Sequence, residues 1–433
     1  MSEGGDAYLS AAEMDAAARS DAASSEVDHL DATPADTEQL DARQLVASQS
    51  DAAQISYLYP GQGTQKQGMT LDEATHDAVL AEIWQQADEH TRAVHGFSIR
   101  QIVADNPVEL EVADELLRHP TGLLHRTEFS QAALAVVAYA QTEQLRLAGK
   151  LVEGAWFAGH SLGEYTALAC YGQVLGLTEL IDVVYQRGRV MNQLVPRDEQ
   201  GASDYGIVVL RPDRLGLDEA QTTAYVTKVG VDSGEFLEVV NHNLAGTQYA
   251  VAGSTAGLAA LTEDAKQRTQ AAGTGRAVLR LPGIDVPFHS SVLRPGVDEF
   301  RASLQRIVPE GVDCTVLLGR YVPNLVGIPF ALDEDFLAAV KQAAPAAELP
   351  SPQTVDPRTL LIELLAWQFA SPVQWIKTQE TLLDAEVQRF VEIGLAESPV
   401  LTNLLTATLN QPRHVGRSVE VLNLQRDRVR ILN

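Results

Sequence analysis

The chain has 433 residues, 45% of them hydrophobic and 21% charged, with a formal net charge of −26. That length and composition suit a globular chain of two or three domain-sized units. The acidic balance argues against a nucleic-acid partner, which needs clustered Lys and Arg, but leaves anionic small molecules open.

Residues 1–54 are rich in Asp, Glu, Ala and Ser and poor in large apolar side chains, so they read as an acidic flexible linker. The first β-prone run is Ile55-Ser56-Tyr57-Leu58-Tyr59, stopped by the turn Pro60-Gly61-Gln62-Gly63. A mostly helical region follows to about Gly149, and Ser130 is the expected N-cap of its apolar helix "QAALAVVAYAQTEQLRLAG". "AWFAGHSLGEYTALACYG", residues 155–172, then reads as strand, turn and helix, with Gly159-His160-Ser161-Leu162-Gly163 at the junction. A helix over Leu177–Val195 comes next, with Thr178 as expected N-cap. From Gly206 the pattern changes. "GIVVL", "FLEVVNHN", "YAVAGS" and "RAVLRLP" read as short strands, with helices near Leu217–Val229 and in "TAGLAALTEDAKQRTQAAG". This β-α-β-β-α-β order is that of a ferredoxin-like unit. Helices resume after Pro287, and "RFVEIG" reads as a late core strand. The expected organisation is an α/β core over 55–204 and 284–424, a ferredoxin-like subdomain over 205–283, and a C-terminal linker over 425–433. Cys170 and Cys314 form neither a disulfide framework nor a metal signature and fit a reducing cytoplasm. No apolar run has transmembrane length, and no signal segment is visible.

The pattern G-x-S-x-G between strand and helix describes a nucleophile elbow, with the Ser161 hydroxyl exposed on a sharp turn. The rival reading is an ordinary Gly/Ser turn. Arg187 shares the apolar face of its helix with Leu180, Val184, Met191 and Leu194. A guanidinium there needs an anion, either a buried Asp or Glu or a substrate carboxylate gripped bidentately. A serine nucleophile needs a base within hydrogen-bond reach. His289, in "DVPFHSSVL", is the better candidate. His160 lies inside the elbow, where its ring should point away from Oγ. Gln62 is either a solvated turn residue or an oxyanion donor acting with the backbone N–H of Leu162.

The motifs "PGQG", "GHSLGEYTAL", "QRGRVM", "VNHNLAGTQYAVAG", "VPFHSS", "WQFASPVQW" and "VEIG", in this order, resemble the malonyl-CoA:acyl-carrier-protein transacylase family. "VPFHSSVLRPGVDEF" and "YVPNLVG" are similar to the malonyl/palmitoyl transferase domain of fungal and actinobacterial type I fatty acid synthases. The resemblance implies a hydrolase-like α/β core with a short, mostly parallel sheet flanked by helices. It implies acyl transfer from malonyl-CoA through an acyl-serine to the phosphopantetheine of an acyl carrier protein domain. Return of a long-chain acyl group to coenzyme A is implied at the same site. Ser161 would be the nucleophile, His289 the base, Arg187 the carboxylate anchor, Gln62 and Leu162 the oxyanion hole. Gln368 would orient the histidine through a carbonyl oxygen, and Asn241 and Phe288 would border the pocket. No metal or cofactor of the domain itself is implied, and its partners would be the other domains of a cytoplasmic synthase. The rival readings are an acetyl-loading or polyketide extender acyltransferase, a serine esterase or patatin-like hydrolase, and a non-catalytic docking module.

Overall fold

The computed structural model describes residues 54–432 apart from 200, 282, 350, 352–353 and 396–398. The expected acidic linker therefore lies, but for its last residue, outside the described residues. In chain order the strands are β1 (Ile55–Tyr59), the hairpin β2 (Glu109–Val112) and β3 (Glu115–Arg118), and β4 (Trp156–Gly159). They continue with β5 (Tyr205–Leu210), β6 (Leu237–Leu244), β7 (Gln248–Ser254), β8 (Val278–Arg280), β9 (Arg389–Glu392) and β10 (Glu420–Asn423). The helices that position the site are α1 (Ala78–His90), α2 (Thr127–Leu147), α3 (Leu162–Cys170) and α4 (Leu177–Gln193). The two of the smaller unit are α5 (Glu219–Ser233) and α6 (Thr255–Ala272).

The main sheet has the order β10-β9-β1-β4, and every pairing in it is parallel. Both faces are covered, as a parallel sheet requires. Period-two alternation sends Tyr57, Tyr59, Phe157 and Val391 into one core and Leu58, Trp156, Ala158 and Phe390 into the other. Helix α2 is buried nearly all round, which its run of Ala and Val allows. It starts at Thr127 rather than at an N-cap Ser130. Ser130 lies within the first turn and donates its hydroxyl to the carbonyls of Arg126 and Thr127. Likewise Gly176, not Thr178, caps α4, and the Thr178 hydroxyl donates to Glu179.

The second sheet has the order β6-β7-β5-β8 with antiparallel pairings, the ferredoxin-like arrangement. Helices α5 and α6 cover one face through Tyr225, Val226, Val229, Leu258, Leu261 and Ala265. Helix α5 opens with a capping box between Asp218 and Gln221. The opposite face carries Ile207, Val240, Ala250 and Ala252, with Phe288 packed against them. This unit is tied to the core by main-chain bonds: His242 donates to Val373, and Val373 donates to Val240. The expected C-terminal linker contains the helix Arg428–Leu432, whose Ile431 and Leu432 pack on the main core while Arg428 donates to Gln144. Among the described residues no helix is long and apolar enough to cross a membrane.

Helices α2 and α4 approach so closely at Gly188 that a Cβ there would lie 2.4 Å from the Cα of Glu128. A clash with backbone puts Gly188→Ala at the upper end of the overpacking range, about 3 kcal/mol, which outweighs the ~1 kcal/mol of helix propensity that Ala gains. Urea denaturation checks this, and an unchanged midpoint would contradict the packing.

Candidate active site

The turn after β1 and the turn after β4 stand side by side at the carboxyl ends of neighbouring parallel strands, where α/β sheets bind ligands. A Cβ at Gly61 would sit 3.5 Å from Cβ of Ser161, and one at Gly163 would meet the Tyr59 carbonyl oxygen at 1.8 Å. Only glycine lets the elbow nest against the first strand. Ser161 itself has φ 56° and ψ −113°, a conformation rarely adopted by a residue with a side chain. Leu162 is the first residue of α3, so its N–H is among those a helix leaves without an intrahelical partner.

Ser161 Oγ lies 2.6 Å from His289 Nε2. The other ring nitrogen, Nδ1, is 2.9 Å from the main-chain carbonyl of Gln368. A carbonyl can only accept, so Nδ1 carries the proton and Nε2 is free to take one from Oγ. Burial, and then the Arg187 charge, push the His289 imidazole down to about 3. His160 turns away, its Nε2 2.9 Å from Asn243 Oδ1 and its ring against Trp375.

Arg187 is 2% exposed. It donates to Gln131 Oε1 at 2.8 Å, Gln368 Oε1 at 3.1 Å and Ser161 Oγ at 3.3 Å, and lies over the Tyr165 ring. All three acceptors are neutral, and its buried Nε has no partner. Glu164 is near enough to act electrostatically but accepts none of the guanidinium's hydrogen bonds. Desolvation lowers the Arg187 pKa. Among the described residues, therefore, no Asp or Glu forms an ion pair with Arg187, and its Nη2 faces the nucleophile.

Several residues carry the site without having been singled out from sequence. Asn324 Oδ1 accepts the Ser161 N–H at 2.7 Å and Gln368 Nε2 at 3.3 Å, while its amide donates to the Gly159 carbonyl. Glu164 accepts from the Asn324 N–H at 3.1 Å and from the Tyr321 hydroxyl. Burial pushes Glu164 up to about 7. Gln131 holds Arg187 and donates to Thr127. Glu164 and Asn324 lie within "GHSLGEYTAL" and "YVPNLVG", but nothing local in either stretch assigns them a partner.

The remaining expected residues are placed less directly. The Gln62 carboxamide oxygen accepts from the Thr127 hydroxyl at 3.0 Å, which anchors the turn on α2. Asn241 lies at a bulge of β6, its Oδ1 buried without a partner, and bonds to none of the groups around Ser161. Asn243, two residues on, is the one that reaches the elbow. Phe288 is partly buried between the main core and the second sheet and precedes His289, whose φ is 63°.

A half-buried serine paired with a buried histidine, beside a guanidinium and on a parallel sheet with a ferredoxin-like insert, is the arrangement of a nucleophile and its base. Residues 56–214 match the acyl transferase domain family. It is 33% identical to fatty acid synthase 2 of Mycosarcoma maydis over 82% of its length, and 30% identical to the Saccharomyces cerevisiae fatty acid synthase subunit beta over 66%. The chain spans 12% and 18% of those two proteins. Among solved structures it superposes on an acyl-carrier-protein S-malonyltransferase of Burkholderia pseudomallei with a TM-score of 0.61 and 27% identity, covering 85% of this chain and 95% of that one. FabD of Acinetobacter baumannii shares the fold, with a TM-score of 0.64 and 22% identity over 88% of this chain and 98% of that one.

A depressed pKa keeps the imidazole neutral and proton-accepting at every pH well above its value. Labelling of Ser161 by a fluorophosphonate should therefore hold from pH 7 down to about 5, without the limb near 6.5 of an ordinary histidine. Arg187→Gln should move the acid limb upward. Half-maximal labelling near pH 6.5 in the unmodified chain would contradict this environment. Asn324→Ala leaves the Ser161 N–H and the Gly159 carbonyl without their partner and should cost about 1–3 kcal/mol, read as a lowered denaturation midpoint.

Proposed function

We propose that this chain is the acyltransferase domain of a type I fatty acid synthase. It moves malonyl from malonyl-CoA to the phosphopantetheine thiol of an acyl carrier protein domain and returns long-chain acyl groups to coenzyme A. The observation that carries the reading is Arg187, a buried cation without a carboxylate partner whose Nη2 is 3.3 Å from Ser161 Oγ. Malonyl is a short acyl group with a free carboxylate, so its carbonyl can meet Oγ while its other end pairs with the guanidinium. The similarity to fatty acid synthases supports the synthase setting. A malonyl transacylase solved in complex with an acyl carrier protein, 25% identical with a TM-score of 0.59, supports the choice of carrier. It covers 86% of this chain and 94% of that one. We read 55–204 and 284–424 as the catalytic core, 205–283 as its insert, and the setting as cytoplasmic.

On this reading each group has one role. Ser161 Oγ gives its proton to His289 Nε2 and attacks the thioester carbonyl. The oxyanion is held by the Leu162 N–H at the start of α3 and by Gln62 in the neighbouring turn. The carbon–sulfur bond breaks, and coenzyme A leaves with the proton from Nε2. The carrier thiol then gives its proton to His289 and attacks the acyl-serine, and Ser161 recovers its proton as leaving group. Pairing the malonyl carboxylate with Arg187 cancels the charge that depresses His289, so the bound substrate strengthens its own base. Asn241 and Phe288 border the pocket at the junction with the smaller unit. The chemistry needs no cofactor within the domain. A serine hydrolase would turn over thioesters without an acceptor thiol, whereas this chain should stall as the acyl-enzyme.

Ser161→Ala should abolish covalent malonyl loading from radiolabelled malonyl-CoA, and His289→Ala should slow it by about 10²–10⁴. Arg187→Ala should cost malonyl-CoA about 10- to 150-fold in kcat/KM, the worth of a charge-assisted contact, while acetyl- and palmitoyl-CoA are spared. Equal losses on all three would make Arg187 structural.

A further inference from the structure

A second cluster of ligand-type side chains joins α1 to the helix of Arg187, through Asp182 of α4. His90 ends α1, and the chain then makes one π-helical turn, Thr91–His95, closed by Gly96 at φ 78°. In an α-helix two residues five apart point about 140° away from each other. The wider turn, with its i→i+5 bonding, brings His95 back over His90. The two rings meet edge to face with centroids 5.9 Å apart. Each Nε2 lies 2.7 Å from the same oxygen, Oδ1 of Asp182 on α4. The three ligand atoms all fall within 4.8 Å of one another. His95 is fixed by contact with Tyr185, centroids 4.4 Å apart, and with Phe97. It also lines a cavity of about 410 Å³ with Tyr185, Arg126 and Glu128, which gives water access to the cluster.

We propose that His90, His95 and Asp182 bind one divalent transition-metal ion, with zinc the best match. Two imidazole nitrogens and one carboxylate oxygen are the borderline donor set that zinc takes, and water from the cavity side supplies the fourth position. Tetrahedral bonds of about 2.0–2.1 Å set ligand atoms about 3.3 Å apart, so each nitrogen must draw back from the Asp182 oxygen by about half an ångström to admit the ion. The ion has no part in acyl transfer. It clamps the end of α1 and its π turn to α4, five residues before Arg187, and so fixes the helix that carries the guanidinium.

The test is calorimetric titration of the metal-stripped full chain with zinc chloride. One saturable equivalent is expected, together with a rise in Tm on adding zinc. Asp182→Asn keeps an oxygen that both imidazole N–H groups can donate to, so the hydrogen-bonded cluster and the fold persist, while zinc affinity should fall at least about 10-fold. The double variant His90→Gln/His95→Gln should lose the equivalent altogether. His289→Ala should bind zinc as the unmodified chain does, which separates this site from the nucleophile and from the acyltransferase reading. No saturable uptake by the unmodified chain would overturn the proposal and leave Asp182 as a plain acceptor for two imidazole N–H groups. Undiminished uptake by Asp182→Asn and by the double variant, or loss of uptake in His289→Ala, would equally overturn it.

Discussion

The strained backbone of Ser161 is the constraint around which the core is arranged. A residue with a side chain at φ 56° and ψ −113° costs on the order of 1–3 kcal/mol and persists only where its surroundings over-determine it. Here the surroundings are specific. Asn324 grips the Ser161 N–H, Gln368 Nε2 grips its carbonyl at 2.7 Å, and Gly163 packs directly on the end of β1. Behind Asn324 stand Glu164 and Tyr321, so the elbow rests on a fully buried polar network. Such a network is stable only if its members satisfy one another. The return on the strain is a hydroxyl aimed at His289, with the Leu162 N–H beside it.

One charge sets the electrostatics of the whole site. Arg187 is desolvated, held by neutral oxygens and cushioned on Tyr165. It depresses the His289 imidazole across the Ser161 hydroxyl they share. Burial is the larger cause of that depression, and the free guanidinium adds to it. Gln368 joins Arg187 and His289 physically. Its main-chain carbonyl fixes the tautomer of His289 while its side chain spans Arg187, Asn324 and the nucleophile's carbonyl.

The two sheets divide the work. Parallel strands β1 and β4 end side by side and present the two turns, while the antiparallel unit feeds the chain back through Phe288 to His289. The base thus arrives from the junction between the units, and Asn243 of β6 holds His160 of the elbow across that same junction. Helix α4 supplies Arg187 from the opposite side, packed on α2 through Gly188.

Patterns of period and turn chemistry were legible in the sequence alone. The strand–Gly-x-Ser-x-Gly–helix junction, the ferredoxin-like order of strands and helices, and the late strand "RFVEIG" all rest on local backbone preference. The pairing of Ser161 with His289 was legible on a different ground, the need of a nucleophile for a base. The helix starts were misjudged at Ser130 and Thr178. Either residue can cap, but packing, not the hydroxyl, decided where α2 and α4 began. What only the tertiary structure decided is the second layer. Asn324, Glu164 and Gln131 gain their roles from partners far away in the chain, and the side chain of Gln62 is drawn to Thr127 rather than left free. Whether Arg187 had an internal anion was equally a matter of tertiary contact. A sequence displays a buried arginine's periodicity, but a hydrogen bond forms between atoms that only the finished fold brings within 3 Å of each other.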